Sequence, residues 1–310
     1  MEINKIVVAS PMHKEIQKLI SRKGIRKNFR FYSDEEVKQE DLNWADAFVS
    51  FNMKDHFDYH NLKWVHSLGA GVDRFIFGRE WPTNVLLTRT VCSFGERIGE
   101  YCLSYLLKDL QFHDQFQSLK EQKQWNPKTP ALLGEQKVMI YGTGEIGQTT
   151  ARILSQFGVE VYGVSLSGKQ KEHFKDVMTL ESHNKKLSEM DYLINTLPLT
   201  EQTFDLFNDG ILTKVTGAGL INVGRGATLN EKALLDAIHN KHVRFAVLDV
   251  FVQEPLSVEN ELWSHPNVFI TPHISAVTTP SEGVECFIET LFKVEESLQL
   301  SNKVDVVRGY

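Results

Sequence analysis

The chain has 310 residues, 42% hydrophobic and 24% charged, with a formal charge of −6. That length exceeds what one hydrophobic core fills, so two domains are expected, and the composition excludes a disordered chain. The negative charge gives no general attraction to nucleic acid or anionic membrane, and no apolar run approaches the ~18 residues of a membrane helix or the pattern of a secretory signal.

Cysteine usage narrows the setting further. Cys92, Cys102 and Cys286 are odd in number and lack CxxC or Cys/His ligand spacing. A disulfide framework and a metal site are therefore not expected, and a reducing cytoplasm is.

In chain order, residues 5–9, 29–32, 47–50, 64–67 and 85–88 are β-rich runs separated by polar or helical stretches, which predicts a parallel sheet. Between Glu96 and Gln124 the only Gly or Pro is Gly99, and Ile98, Cys102, Tyr105, Leu106 and Leu110 recur at near-helical spacing. One long helix ending before Trp125-Asn126-Pro127 is expected. A second alternating series follows: strand 137–141, helix 147–157 and strand 159–164 form a βαβ unit, with further strands at 192–195, 219–223, 246–250 and 268–270 and a helix at 231–240. Residues 280–300 return to helix and must pack outside that second sheet.

Gly142-Thr143-Gly144-Glu145-Ile146-Gly147 is a GxGxxG run between an apolar strand and a helix, the context in which it binds a dinucleotide. Gly142 permits the turn, Gly144 lets the backbone approach a pyrophosphate, and Gly147 lets the helix pack on the strand. The helix N-terminus adds free N–H groups and partial positive charge. About 20 residues on, an NAD site carries an acid for the adenosine ribose. Here Ser165 stands 18 residues after Gly147, in Val164-Ser165-Leu166-Ser167-Gly168-Lys169. The hydroxyls of Ser165 and Ser167 with Lys169 suit a 2′-phosphate, which an acid would repel. NADP(H) is therefore favoured, with NAD(H) as the alternative.

Three loops at predicted strand ends each present one reactive residue, at the place where α/β folds hold ligands. Arg225, in Asn222-Val223-Gly224-Arg225-Gly226, offers a planar fork that matches a carboxylate, and its flanking glycines are expected to leave it accessible. Glu254 precedes Pro255, and His273 follows Pro272. A carboxylate beside an imidazole favours its protonated form and fixes its tautomer. That arrangement suits a general acid delivering a proton to the alkoxide formed when hydride reaches C2 of a 2-oxo acid.

With these motifs in view, the sequence resembles the D-isomer-specific 2-hydroxyacid dehydrogenase family over essentially the whole chain. Six motifs in order carry the resemblance: Leu68-Gly69-Ala70-Gly71-Val72-Asp73, the Gly142 to Gly147 turn, Thr196-Leu197-Pro198-Leu199-Thr200, Val223-Gly224-Arg225-Gly226, Asp249-Val250-Phe251 through Glu254-Pro255, and Pro272-His273-Ile274. Within the family it is most similar to the short glyoxylate/hydroxypyruvate reductases, through Leu68 to Asp73, the serine-rich end of the second strand, and Val304-Asp305 with Arg308-Gly309-Tyr310. The resemblance implies two doubly wound parallel-sheet α/β domains. A Rossmann cofactor domain, 97–276, is inserted in a discontinuous flavodoxin-like substrate domain, 1–96 plus 277–310. It also implies a homodimer built around the cofactor domain and the long helix.

Carried over residue by residue, the resemblance gives backbone N–H groups around Ala70 and Gly71 to the substrate carboxylate with Arg225. Thr196, Leu197, Pro198 and Val223 line the cofactor, and Asp249 binds the nicotinamide carboxamide. The loop Phe51-Asn52-Met53-Lys54-Asp55 matches no family pattern, which leaves the choice of acid open. A competing reading is a catalytically weak, dehydrogenase-like module that senses the cofactor. Retention of Arg225, Glu254 and His273 argues for turnover. A long phosphoglycerate dehydrogenase would need a C-terminal regulatory domain, and formate dehydrogenase carries Gln in place of Glu254.

Overall fold

The β-rich runs of the first third become β1 (Lys5–Ala9), β2 (Asn28–Tyr32), β3 (Ala47–Ser50), β4 (Trp64–Ser67) and β5 (Leu86–Arg89). They pair in parallel in the order β2-β1-β3-β4-β5, the doubly wound flavodoxin-like order. The computed structural model describes residues 1–51 and 57–310 and divides into two units, Met1–Phe94 with Val277–Tyr310, and Gly95–Ala276. β3 and β4 are buried at every position, because parallel sheets are covered on both faces. α1 (His13–Arg22) supplies Ile16 and Ile20 to one face, while α2 (Gln39–Trp44) supplies Leu42 to the other, and α3 (Asp73–Ile76) follows β4. His66 on β4 is a structural histidine. It lies fully buried with its ring nitrogens against the Thr88 and Thr90 hydroxyls, and burial pushes its pKa down to about 3, so it stays neutral.

The second unit begins in α4 (Phe94–Leu110), followed by α5 (His113–Glu121). The single helix expected over 96–124 is broken, because Phe112 takes a left-handed conformation with φ 55°. The apolar spacing explains where. Ile98, Cys102, Leu106 and Leu110 reach the core, whereas α5 buries nothing. Past Leu110 no packing remains to hold one axis.

The seven-stranded sheet comprises β6 (Lys137–Tyr141), β7 (Glu160–Val164), β8 (Asp176–Met178), β9 (Tyr192–Asn195), β10 (Ala218–Asn222), β11 (Val243–Leu248) and β12 (Val268–Ile270), in the parallel order β12-β11-β10-β9-β6-β7-β8. The strand alternation separates its two cores, with Val138 and Ile140 in one cluster and Met139 and Tyr141 in the other. α6 (Glu145–Gln156) joins the first cluster through Ala151 and Leu154. α7 (Asp209–Leu212) and α8 (Glu231–His239) join the second. β8 has no counterpart in the sequence reading, since Asp-Val-Met offers two apolar residues after an exposed acid, whereas the equally short β12 is the apolar run Val-Phe-Ile.

α9 (Pro280–Glu295) returns to the first unit behind a capping box formed by Thr279 and Glu282. Its Phe287 stacks on Trp64 with ring centroids 5.4 Å apart. It ends five residues short of the expected 300. Among the described residues no helix is long and apolar enough to cross a membrane.

One polar cluster fastens α4 to the second sheet. Asp109 accepts from the Tyr192 hydroxyl at 2.6 Å and from Arg244 Nη2 at 2.7 Å, while Arg244 Nη1 donates to the carbonyls of Asp191 and Gly217. Burial alone would lower the Arg244 pKa, but the hydrogen bond and charge of Asp109 outweigh it and raise it. Asp109→Ala is expected to cost about 2 kcal/mol of stability, because it strips a charged partner from a half-buried guanidinium. Thermal unfolding checks this, and an unchanged midpoint would contradict it.

Candidate active site

The sheet order changes direction between β6 and β9, the switch point at which open α/β sheets bind ligands. β6 runs into Gly142 at φ 97°, and α6 starts at Glu145 with Gly144 as an N-cap that carries no side-chain capping bond. A Cβ on Gly147 would overlap the Gly142 carbonyl oxygen, so the turn closes only with glycine there. A Cβ on Gly144 would meet nothing within 4 Å. Thr143 is buried, Ile146 half-buried and Glu145 exposed, which leaves the turn to act through its main chain.

β7 ends at Val164 with no acid beyond it. Ser165 donates its N–H to the Met178 carbonyl at 3.0 Å, and its Oγ is buried with no partner among the described residues. Ser167 and Lys169 are exposed, and the Ser167 hydroxyl accepts from the Lys169 N–H at 3.3 Å. Open space over Gly144, an uncapped helix N-terminus and an orphaned buried hydroxyl together fit a dinucleotide. Across the switch point, the Thr196 hydroxyl donates to the Tyr141 carbonyl at 2.9 Å. Leu197 and Pro198 are half-buried beside it, and Val223 is buried.

The loops leaving β10, β11 and β12 come next in the row. Arg225 is half-buried, and its Nη1 donates to the Gly224 carbonyl at 2.7 Å. Its flanking glycines serve less to expose it than to let main chains meet. A Cβ on Gly224 would lie 2.6 Å from the Leu197 oxygen, and one on Gly226 would overlap the Phe251 main chain. Arg225 is thereby held between the Leu197 loop and the Glu254 loop.

Glu254 Oε2 lies 2.8 Å from His273 Nδ1, and its Oε1 accepts from the Phe251 N–H at 3.0 Å. The imidazole is 47% exposed and the carboxylate 24%, so the pair opens to solvent on the histidine side. His273 sits at φ 55° in a loop gathered by Asp249. Asp249, which the resemblance assigns to the nicotinamide carboxamide, is fully buried, and its oxygens gather that loop. They accept from the Thr271 hydroxyl at 2.6 Å, the Ile274 N–H at 2.8 Å and the Ser275 N–H at 2.9 Å, while its carbonyl accepts from the His273 N–H at 2.8 Å.

Ala70 and Gly71 belong to the first unit. Ser67 Oγ lies 3.1 Å from the Gly69 carbonyl and 3.0 Å from that of Gly71, and the Thr278 hydroxyl donates to the Leu68 carbonyl at 2.9 Å. Among the described residues the Ala70 and Gly71 N–H groups donate to nothing. Of the loop expected to shape acid specificity, residues 52–55 lie outside the described residues. Burial pushes the Cys102 thiol pKa up, which keeps it an inert core residue.

Sequence reasoning passed over Asn195, Asn222 and Thr228, all buried beneath these loops. The available signal was an asparagine closing each of two otherwise apolar strands, Tyr-Leu-Ile-Asn and Ala-Gly-Leu-Ile-Asn.

The family model described as D-isomer specific 2-hydroxyacid dehydrogenase, NAD binding domain, matches residues 103–275. A glyoxylate/hydroxypyruvate reductase A from Serratia proteamaculans is 35% identical over 256 residues, 80% of this chain and 82% of the relative. Among solved structures, an NADPH-dependent glyoxylate/hydroxypyruvate reductase from Sinorhizobium meliloti in complex with NADP and sulfate superposes with a TM-score of 0.87 at 27% identity, covering 99% of this chain and 100% of its own. A D-isomer specific 2-hydroxyacid dehydrogenase from Xanthobacter autotrophicus Py2 in complex with NADPH and MES gives 0.87 at 26% identity, with 100% of both chains covered.

Gly226→Ala tests the meeting of loops. It is expected to cost about 1–3 kcal/mol through overpacking against Phe251 and to disturb the segment that carries Glu254. Unfolding midpoints check it, and wild-type stability would show that the two main chains can part freely.

Proposed function

The chain belongs to the D-isomer specific 2-hydroxyacid dehydrogenase family and is an NAD(P)-dependent dehydrogenase. On that premise we propose that it reduces a small 2-oxo acid of glyoxylate or hydroxypyruvate type to the D-2-hydroxy acid. The observation that carries the proposal is the 2.8 Å His273–Glu254 pair, next in the row of strand ends to Arg225.

Bound nicotinamide cofactor supplies the hydride. The Arg225 guanidinium pairs with the substrate carboxylate. Glu254 keeps the proton on Nδ1 of His273, so Nε2 is the nitrogen turned to substrate. Nε2 delivers its proton to the C2 oxygen as that oxygen becomes an alkoxide, and takes it back in the reverse direction. Gly142 to Gly147 cradle the pyrophosphate, with Thr196, Leu197, Pro198 and Val223 along the cofactor.

NADPH is proposed over NADH. The missing acid after β7, the buried Ser165 hydroxyl and the exposed Ser167 and Lys169 support this, as do the NADP and NADPH in the similar structures. A homodimer is proposed through α5 and the segment after it, where Phe116, Trp125 and Leu132 are exposed, Trp125 at 98%. Burying such a run of large apolar groups favours association. Three free cysteines suit a reducing cytoplasm.

A spectrophotometric screen of glyoxylate, hydroxypyruvate, pyruvate and longer 2-oxo acids against NADPH and NADH tests the assignment. The highest kcat/KM is expected for glyoxylate and hydroxypyruvate with NADPH. Absence of turnover with every acid would contradict it and favour a cofactor-sensing module. Ser165→Asp should move the NADPH/NADH preference toward NADH by about tenfold or more, since an acid repels the 2′-phosphate. An unchanged ratio would place Ser165 away from the ribose.

A further inference from the structure

The strand ends beneath Arg225 contain a closed polar cluster. Asn195 and Asn222 are register partners at the ends of β9 and β10, and with Thr228 they are at most 1% exposed. Asn195 Nδ2 donates to Asn222 Oδ1 at 2.9 Å and to Thr228 Oγ1 at 2.7 Å, while its Oδ1 accepts from the Leu197 N–H at 3.0 Å. Thr228 Oγ1 in turn donates to the Arg225 carbonyl at 2.6 Å, and Asn222 Nδ2 reaches the same carbonyl at 3.3 Å. Asn222 Oδ1 also accepts from the Gly224 N–H at 3.2 Å.

Every polar atom of the Asn195 amide is therefore committed, and its two ends serve different loops. One end fixes the main chain of Leu197, and the other fixes the two side chains that hold the main chain of Arg225. Buried amides cost desolvation, and apolar residues fill the rest of β9. A fully satisfied network in such a place fixes one geometry at the expense of others.

We infer that Asn195 is a positioning residue that locks the cofactor-lining loop 196–198 and the Arg225 loop into one unit, so that cofactor binding sets Arg225 for the substrate carboxylate. The inference rests on the functional reading above. Its content is a coupling: the cofactor tightens binding of a 2-oxo acid, and by reciprocity the acid tightens the cofactor. Without the Asn195–Thr228 link each loop still folds, but order in one no longer restricts the other.

The test is a pair of titrations on each protein, measuring the Kd of oxamate, a non-reducible 2-oxo acid analogue, with and without saturating NADPH. The ratio of the two constants is the coupling factor. Asn195→Ala and the isosteric Thr228→Val are expected to lower that factor by about tenfold, while Thr228→Ser, which keeps the hydroxyl, retains it. A merely structural role would lower the unfolding midpoint and leave the factor unchanged. If Asn195→Ala does not fold, the Thr228→Val and Thr228→Ser pair decides. Unchanged coupling in the folded variants, or a wild-type factor of one, would overturn the inference and leave the functional reading standing. A wild type that binds no oxamate with or without NADPH would overturn both.

Discussion

Between Gly226 and Phe251 the exit loops of two neighbouring parallel strands meet main chain to main chain, closer than any side chain allows. Gly224 and Leu197 make the same kind of contact one strand further along. Because β9, β10, β11 and β12 run in parallel, four loops leave the sheet at one end and are pressed into a row. The position of Arg225 relative to Glu254 is a consequence of that pressing. Asp249 extends the row to His273 by collecting three donors from the last loop.

This constraint separates two kinds of residue. Arg225, Glu254 and His273 have side chains that are partly exposed. Asn195, Asn222, Thr228 and Asp249 are buried, and their hydrogen bonds go to one another and to side-chain and main-chain groups of the same loops. The exposed set suits chemistry on a bound acid, and the buried set holds the loops from below. A buried polar network of this kind works only when every member is satisfied, which explains why asparagine and threonine stand where the rest of the strands are apolar.

The sequence carried most of the architecture, because the relevant signals were local. Residues 5–9, 47–50, 64–67, 137–141, 192–195 and 268–270 match observed strands end to end, each a short run rich in apolar residues. The dinucleotide turn was legible because its glycines answer steric demands at fixed spacing, as the Gly147 contact with the Gly142 carbonyl demonstrates. What escaped depends on tertiary partners. The break at Phe112 follows from the loss of packing after Leu110, and helical spacing alone does not register that loss. The hold of Asp249 on the 271–275 loop escaped too, because its partners lie more than twenty residues away in the chain.

The central claim is that His273, oriented by Glu254, donates the proton during reduction. It is tested most directly by comparing the single-turnover rate of NADPH oxidation by glyoxylate in wild type and His273→Ala, with NADPH affinity measured on the same samples. The account predicts a loss of about a hundredfold to ten-thousandfold in rate with affinity unchanged. A near wild-type rate in His273→Ala would contradict it.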